Sequence, residues 1–301
     1  LRTPSAMNGA FQKNMLWNGQ FGATGENIGT EGSWTAGTPK EKNHLGFEGL
    51  ETQAIAGLVV HRLNINEDIL NIHPYKILFD AAFADIPEAD RYTRTTAGLA
   101  IAAFERTVMA DRAPFQKWLQ GDHSAMTESQ KAGALLFFDK AECFTCHTGP
   151  ALNKMDFMAI GMGDLFECGE QTFRAPENDP AYLGRGGFTG DASENYRFKV
   201  PQLYNLKDSP FFGHGATFKT VEAVVDYKNQ AVSQNPNVPA SQLDPLFVPL
   251  GLNQHEIDQI TDFVENGLYD PELLRYAPVT LPSGNCFPVN DLLGRLDLSC
   301  D

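Results

Sequence analysis

Between residues 143 and 147 the chain reads Cys-Phe-Thr-Cys-His, and no other five residues restrict its architecture so tightly. Two thiols at a three-residue step, followed at once by an imidazole, is the spacing of covalent haem attachment. The thiols bond the two vinyl groups and the histidine lies under the iron. Two other uses of CxxC fit less well. A redox pair follows a strand and opens a helix, whereas here a segment with helical spacing precedes the cysteines. A zinc site wants a second Cys/His pair at ligand spacing, and Cys168, with no such neighbour, does not supply one. Cys143, Cys146 and His147 are therefore assigned to one covalent haem c, with His147 as the proximal iron ligand.

Such a domain is built as a helix, the CxxCH, a loop-rich stretch carrying the sixth ligand, and a closing helix that crosses the first. The residues follow that order. Thr127 and Gln130 form a capping box for a helix running to Phe138. Residues 149–218 are rich in Gly, Pro, Asp and Asn and read as irregular loops. Helical spacing returns at 220–231 and 253–268, the second with Ile257, Ile260, Thr261, Val264 and Leu268 on one face. For the sixth ligand the loops offer Met155, Met158, Met162 and, between two glycines, His214. A methionine so near His147 in sequence is more often packed on the porphyrin, so His214 stands first and Met158 behind it.

Upstream, residues 18–49 lack periodicity and read as a long ordered loop or lid. From Glu51 a helix is predicted with Ile55, Leu58, Val59 and Leu63 on its buried face. The stretch Asp68–Ala84 holds Pro74 near a helix start and a face of Ile77, Leu78, Ala81 and Ala82. A further helix covers Ala89–Ala110, and Pro114 opens a short one through Leu119. Beyond Asp270 the chain reads as an extended, Pro-rich tail. The fold class is mainly α, of cytochrome c type, with long irregular loops and little β. Its parts are 1–120, 121–270 and the tail 271–301.

The formal charge of −15 repels phosphate backbones, which excludes nucleic acid, and attracts a basic protein partner at low salt. No run approaches the roughly 20 apolar residues of a membrane span. Cys286 and Cys300 flank a loop of a length that a disulfide closes readily. That bridge and thioether attachment both need an oxidising compartment, so the protein is expected to be periplasmic or otherwise exported. Cys168 is left as a buried thiol or as the partner of a segment elsewhere. The chain opens at Leu1 with no basic-then-apolar signal, which suits a processed chain or a fragment.

Several stretches together resemble the bacterial diheme cytochrome c peroxidases and their methylamine-utilisation relatives. "LRTPSAMNGAF" resembles the family's R-(N/T)-x-P-T-x-x-N-A-x-F, and "LWNGQ" its F-W-D-G-R. "LETQAIAGLVVHRLN" falls where the family has a helix leading to a catalytic glutamate, and "APFQKWLQGD" resembles the linker between its haem domains. "GRGGFTG", "FKVPQLYNL" and "SPFFGHGATFKTVEAVVDY" resemble its distal loop and following helix.

The resemblance implies division of labour between two haems. One, in the N-terminal domain, reduces hydrogen peroxide; the other takes electrons from a small, basic donor, a cytochrome c or cupredoxin. Cys143, Cys146 and His147 would belong to the electron-transfer haem, and Trp17 matches the tryptophan between the haems. A second haem is expected on an N-terminal segment preceding Leu1. The family's distal methionine aligns near Ser209, a poor ligand, so the iron is either ligated through His214 or differently coordinated. Where the peroxidatic glutamate is expected the chain reads "HRLNINED", so His61 and Arg62 are the catalytic candidates, as proton carrier and charge stabiliser, with Glu67 nearby. A calcium between the haems and a homodimer also follow from the resemblance, although the asparagine ligand of that calcium aligns near Arg2. Oxidation of a partner protein or organic substrate, and simple electron carriage, remain the alternative functions.

Overall fold

A computed structural model describes residue 3, residues 5–72, 74–169 and 176–283, and the isolated positions 293 and 296. The helix before the CxxCH starts where its capping box places it. The Thr127 hydroxyl accepts from the Gln130 backbone N–H, and the Gln130 side chain takes the Thr127 N–H in return. This helix, α7 (Glu128–Phe138), crosses α10 (Gln254–Asp262), itself capped by Asn253 and Glu256 in the same reciprocal way. The crossing is close because position 133 has no side chain. A Cβ on Gly133 would lie 1.9 Å from the Gln259 carbonyl oxygen. Past Asp262 the helix widens into a π turn, Phe263–Gly267, which turns Phe263 and Val264 into the core.

Before α7 the chain forms α1 (Gly49–Val60), α2 (Glu67–Ile72), α3 (Tyr75–Ala82), α4 (Glu88–Arg91), α5 (Arg94–Glu105) and α6 (Pro114–Leu119). Within Asp68–Ala84 the helix start expected near Pro74 is found: α3 opens at Tyr75 with Pro74 as its N-cap, and Pro74 lacks the N–H that would continue α2. The helix predicted over Ala89–Ala110 is trimmed to α5 because Thr93 caps it with Thr96. α1 and α5 pack together around Ile55, Ala56 and Ala102. Ile55 and Leu58 are buried as expected, but Val59 and Leu63 are 47% and 52% exposed, and Ile77 and Leu78 lie on the surface.

After α7 lie α8 (Arg185–Thr189), α9 (Val221–Gln230) and one small antiparallel ladder, β1 (Phe157–Met158) with β2 (Phe198–Lys199). Among the described residues, buried apolar side chains gather in two clusters. The larger runs from Met7 and Ala110 through Phe137, Val221 and Ile260 to Leu268; the smaller joins Met15, Phe21, Leu50, Ala56 and Ala102.

Residues 7–27 stitch these regions together. The Asn8 side chain accepts from Ala110 N–H and donates to Gln202 Oε1. The Lys199 N–H donates to the Trp17 carbonyl at 2.7 Å. Buried Arg185 reaches Asn27 Oδ1 and the Glu26 carbonyl, so the 18–49 loop is pinned rather than free. Cys286 and Cys300 lie outside the described residues, and so does Arg2.

Candidate haem site

The end of α7 delivers the motif to a cavity. Glu142 takes a left-handed conformation, φ 48°, and Cys143–Thr145 then make one 3₁₀ turn. The His147 N–H donates to the Cys143 carbonyl at 2.8 Å, so both thiols and the imidazole face one space. That space is a cavity of about 320 Å³, within the roughly 300–1,000 Å³ of cofactor sites. Cys143, Cys146 and His147 line it together with Trp17, Met158, Met162, Lys199 and His214, over a largely apolar wall that includes Phe137, Val221 and Ile260.

His147 Nδ1 lies 3.0 Å from the Leu152 carbonyl oxygen and 3.2 Å from that of Pro201. Carbonyls only accept, so Nδ1 carries the proton and Nε2 keeps its lone pair, the tautomer an Nε2-bound metal requires. Leu152 holds its carbonyl there from a left-handed conformation, φ 48°, which costs a non-glycine residue about 1–3 kcal/mol. Burial lowers the His147 pKa and keeps the ring neutral. It also pushes the Cys143 thiol up to about 12 and raises Cys146. A redox CxxC does the reverse, lowering its thiol pKa to expose a thiolate. Among the described residues no group of three or more His, Cys, Asp or Glu side chains gathers as a metal site, neither for zinc nor for the expected calcium.

These residues fit a haem. Its vinyl groups have two thiols, its iron has a neutral imidazole nitrogen, and its ring has apolar walls. Trp17 adds a further sign. Its indole is 8% exposed, lines the cavity, and its Nε1–H has no acceptor among the described residues. A buried donor without a partner is costly unless something else occupies the space before it.

His214 stands on the same cavity with its ring stacked on Phe198, centroids 3.6 Å apart, and edge-on to Trp17 at 6.3 Å. Its Nε2 is 3.1 Å from Asp164 Oδ1, and Asp164 Oδ2 accepts from Asn235 at 2.8 Å. A carboxylate only accepts, so Nε2–H is spent on Asp164 and Nδ1 offers the lone pair. Burial lowers this pKa also, against the pull of Asp164. Gly215 permits the arrangement, because a Cβ there would sit 2.1 Å from the Gly163 carbonyl oxygen. Met158 and Met162 line the cavity; Met155 does not.

The structure does not bring His61 and Arg62 to this site. They form the exposed turn that ends α1 and do not line the cavity, and Glu67 pairs with Lys76 at 3.7 Å. Two buried polar groups escaped the sequence reading. Asp164 carries no motif of its own. Lys199 sits between Phe198 and Val200, where alternation would turn a lysine outward; here it is 4% exposed, and burial takes its pKa down to about 7.

A helix, CxxCH, loops and a crossing helix around an apolar cavity define a cytochrome c-type haem domain. Solved structures carry the same fold. A crystal structure of a MauG-like protein associated with microbial copper homeostasis superposes with a TM-score of 0.61 at 21% identity, covering 90% of this chain and 76% of that one. The diheme peroxidase BthA from Burkholderia thailandensis gives 0.53 at 15% identity, over 90% of this chain and 69% of that one.

Residues 1–124 match the family model of the di-haem cytochrome c peroxidases. The cytochrome-c peroxidase IdrP1 of Denitromonas iodatirespirans is 31% identical over 206 residues, 62% of this chain and 53% of that protein. The methylamine utilization protein MauG of Methylorubrum extorquens is 27% identical over 93% of this chain and 67% of its own length. Over these stretches the chain is similar in sequence to the di-haem cytochrome c peroxidases and the MauG proteins. It spans about half the length of several curated relatives it matches.

Proposed function

We propose that the chain is the electron-handling part of an exported c-type haem oxidoreductase that reduces hydrogen peroxide. The observation that carries this is the joint placement of Cys143, Cys146, neutral His147 and Trp17 on one cavity. Bound haem would supply a one-electron iron couple. The protein's part is to hold it: the thiols tether it, His147 Nε2 ligates it, and the apolar walls exclude water. His214, whose Nδ1 lone pair is left by the Nε2–Asp164 bond, would be a second iron ligand, with Met158 as the other candidate. Trp17 would carry electrons onward, toward a second haem borne on residues outside these 301. The exposed apolar side chains Val59, Val60, Leu63, Ile69, Ile77 and Leu78 suit such a segment, which would cover them. His61 and Arg62, on the exposed turn that ends α1, would serve that second haem as proton carrier and charge stabiliser.

Reduction of one peroxide consumes two electrons and two protons and releases two waters, so turnover needs a donor. With a charge of −15, the donor is proposed to be a small basic cytochrome or cupredoxin. A second reading, oxidation of a partner protein, rests on the 93% coverage against a MauG protein and on the lack of a methionine at Ser209.

The test is peroxide-dependent oxidation of a reduced basic cytochrome c by the full-length natural protein. Turnover that falls at least tenfold in Trp17→Phe supports the proposal. No peroxide consumption, with spectra unchanged by peroxide, supports simple electron carriage instead. Partner oxidation without turnover of the donor favours the second reading.

A further inference from the structure

Lys199 is a buried amine with no anion beside it among the described residues. Its Nζ donates to Gln12 Oε1 and, at 3.0 Å, to the Asn14 carbonyl oxygen. An ammonium has three protons to give, and these contacts use two. Among the described residues no carboxylate reaches Nζ, and burial is the sole cause of its lowered pKa. The residues that meet Lys199 from other segments, Gln12, Asn14, Trp17 and Phe157, are all uncharged. A lysine in such surroundings is destabilising unless an opposite charge joins it.

The cavity supplies the place for one. Lys199 lines it, and so does Trp17, whose Nε1–H is buried without an acceptor among the described residues. The other cavity lysine, Lys228, is differently placed. Its charge acts on the Cys143 and Cys146 thiols, and its Nζ is bonded to the Leu246 carbonyl at 2.6 Å. Lys228 thus attends the thiols, while Lys199 keeps a spare ammonium proton and Trp17 a spare indole N–H. Haem c is apolar apart from two propionate carboxylates on one edge. Resting on the haem reading above, we propose that Lys199 is the anchor of a haem propionate: its third proton goes to a propionate oxygen, with Trp17 Nε1–H as a second donor. Gln12 and Asn14 then hold the ammonium in place.

This has a measurable electrical consequence. A positive charge paired to a propionate favours the reduced haem, which carries one more electron. A pyridine haemochrome assay first establishes covalent haem in the wild type; its absence would strike the haem reading itself and this proposal with it. Redox titration of Lys199→Met is then expected to show reduction disfavoured about tenfold, or 59 mV for a one-electron couple. Lys199→Arg should stay within about twofold of wild type. A haem-loaded Lys199→Met with the wild-type potential would overturn the proposal. Should that variant not fold, resonance Raman of the wild type decides. The propionate bending mode should shift in D2O and still shift in Trp17→Phe, whereas a mode indifferent to D2O would refute the anchor.

Discussion

At the scale of single residues, the site depends on which nitrogen carries a proton. His147 gives Nδ1–H to two carbonyls and His214 gives Nε2–H to Asp164, so each ring turns one lone pair to other uses. His214→Ala is expected to convert the low-spin haem spectrum to a high-spin one, and an unchanged spectrum would transfer the axial role to Met158.

A second residue-scale prediction concerns Asp270, 1% exposed, which accepts from the Asp111, Arg112 and Glu272 amides and from Arg275. Burial pushes its pKa up, but the Arg275 guanidinium and the amides outweigh burial and hold it below the usual carboxylate value. The unfolded group ionises near about 3.9, so its stabilisation is complete above that pH and is lost as pH falls through the folded value. Asp270→Asn should cost about 3 kcal/mol at neutral pH, seen in urea melts, and the difference from wild type should shrink below about pH 4. The cysteines and His147 were legible in the sequence because their spacing is their chemistry. Lys199 and Asp164 were not, because their partners lie 185 and 50 residues away.

At the scale of elements, local signals served well where they were local. The Thr127–Gln130 box and the proline at position 114 set helix starts where the residues place them. Helix faces were less legible. Val59, Leu63, Ile77 and Leu78 satisfy an apolar period yet are exposed, since periodicity marks a face and not what covers it. The α7–α10 crossing is open to direct test. Gly133→Ala forces a methyl group into the Gln259 carbonyl, and overpacking of this kind costs about 1–3 kcal/mol. Thermal melting should show that loss, together with reduced haem loading; a wild-type melting temperature would mean the helices separate freely.

At the scale of the molecule, charge governs how partners arrive. Association of a basic donor with a surface of net charge −15 should slow steeply with salt, because screening lengths fall from about 30 Å at 0.01 M to about 10 Å at 0.1 M. Stopped-flow reduction rates across that range would show a decline of at least several-fold, and salt-independent rates would point to a neutral or acidic donor. Among the described residues no helix is long and apolar enough to cross a membrane.

The 320 Å³ cavity is expected to hold a haem bonded to Cys143 and Cys146. The intact mass of the denatured chain, produced with a haem-attachment system, tests it most directly. The mass should exceed that of the polypeptide by one haem, and in Cys143→Ala/Cys146→Ala it should return to the bare polypeptide. A wild-type chain at the bare mass, with haem absent or released on denaturation, would contradict it.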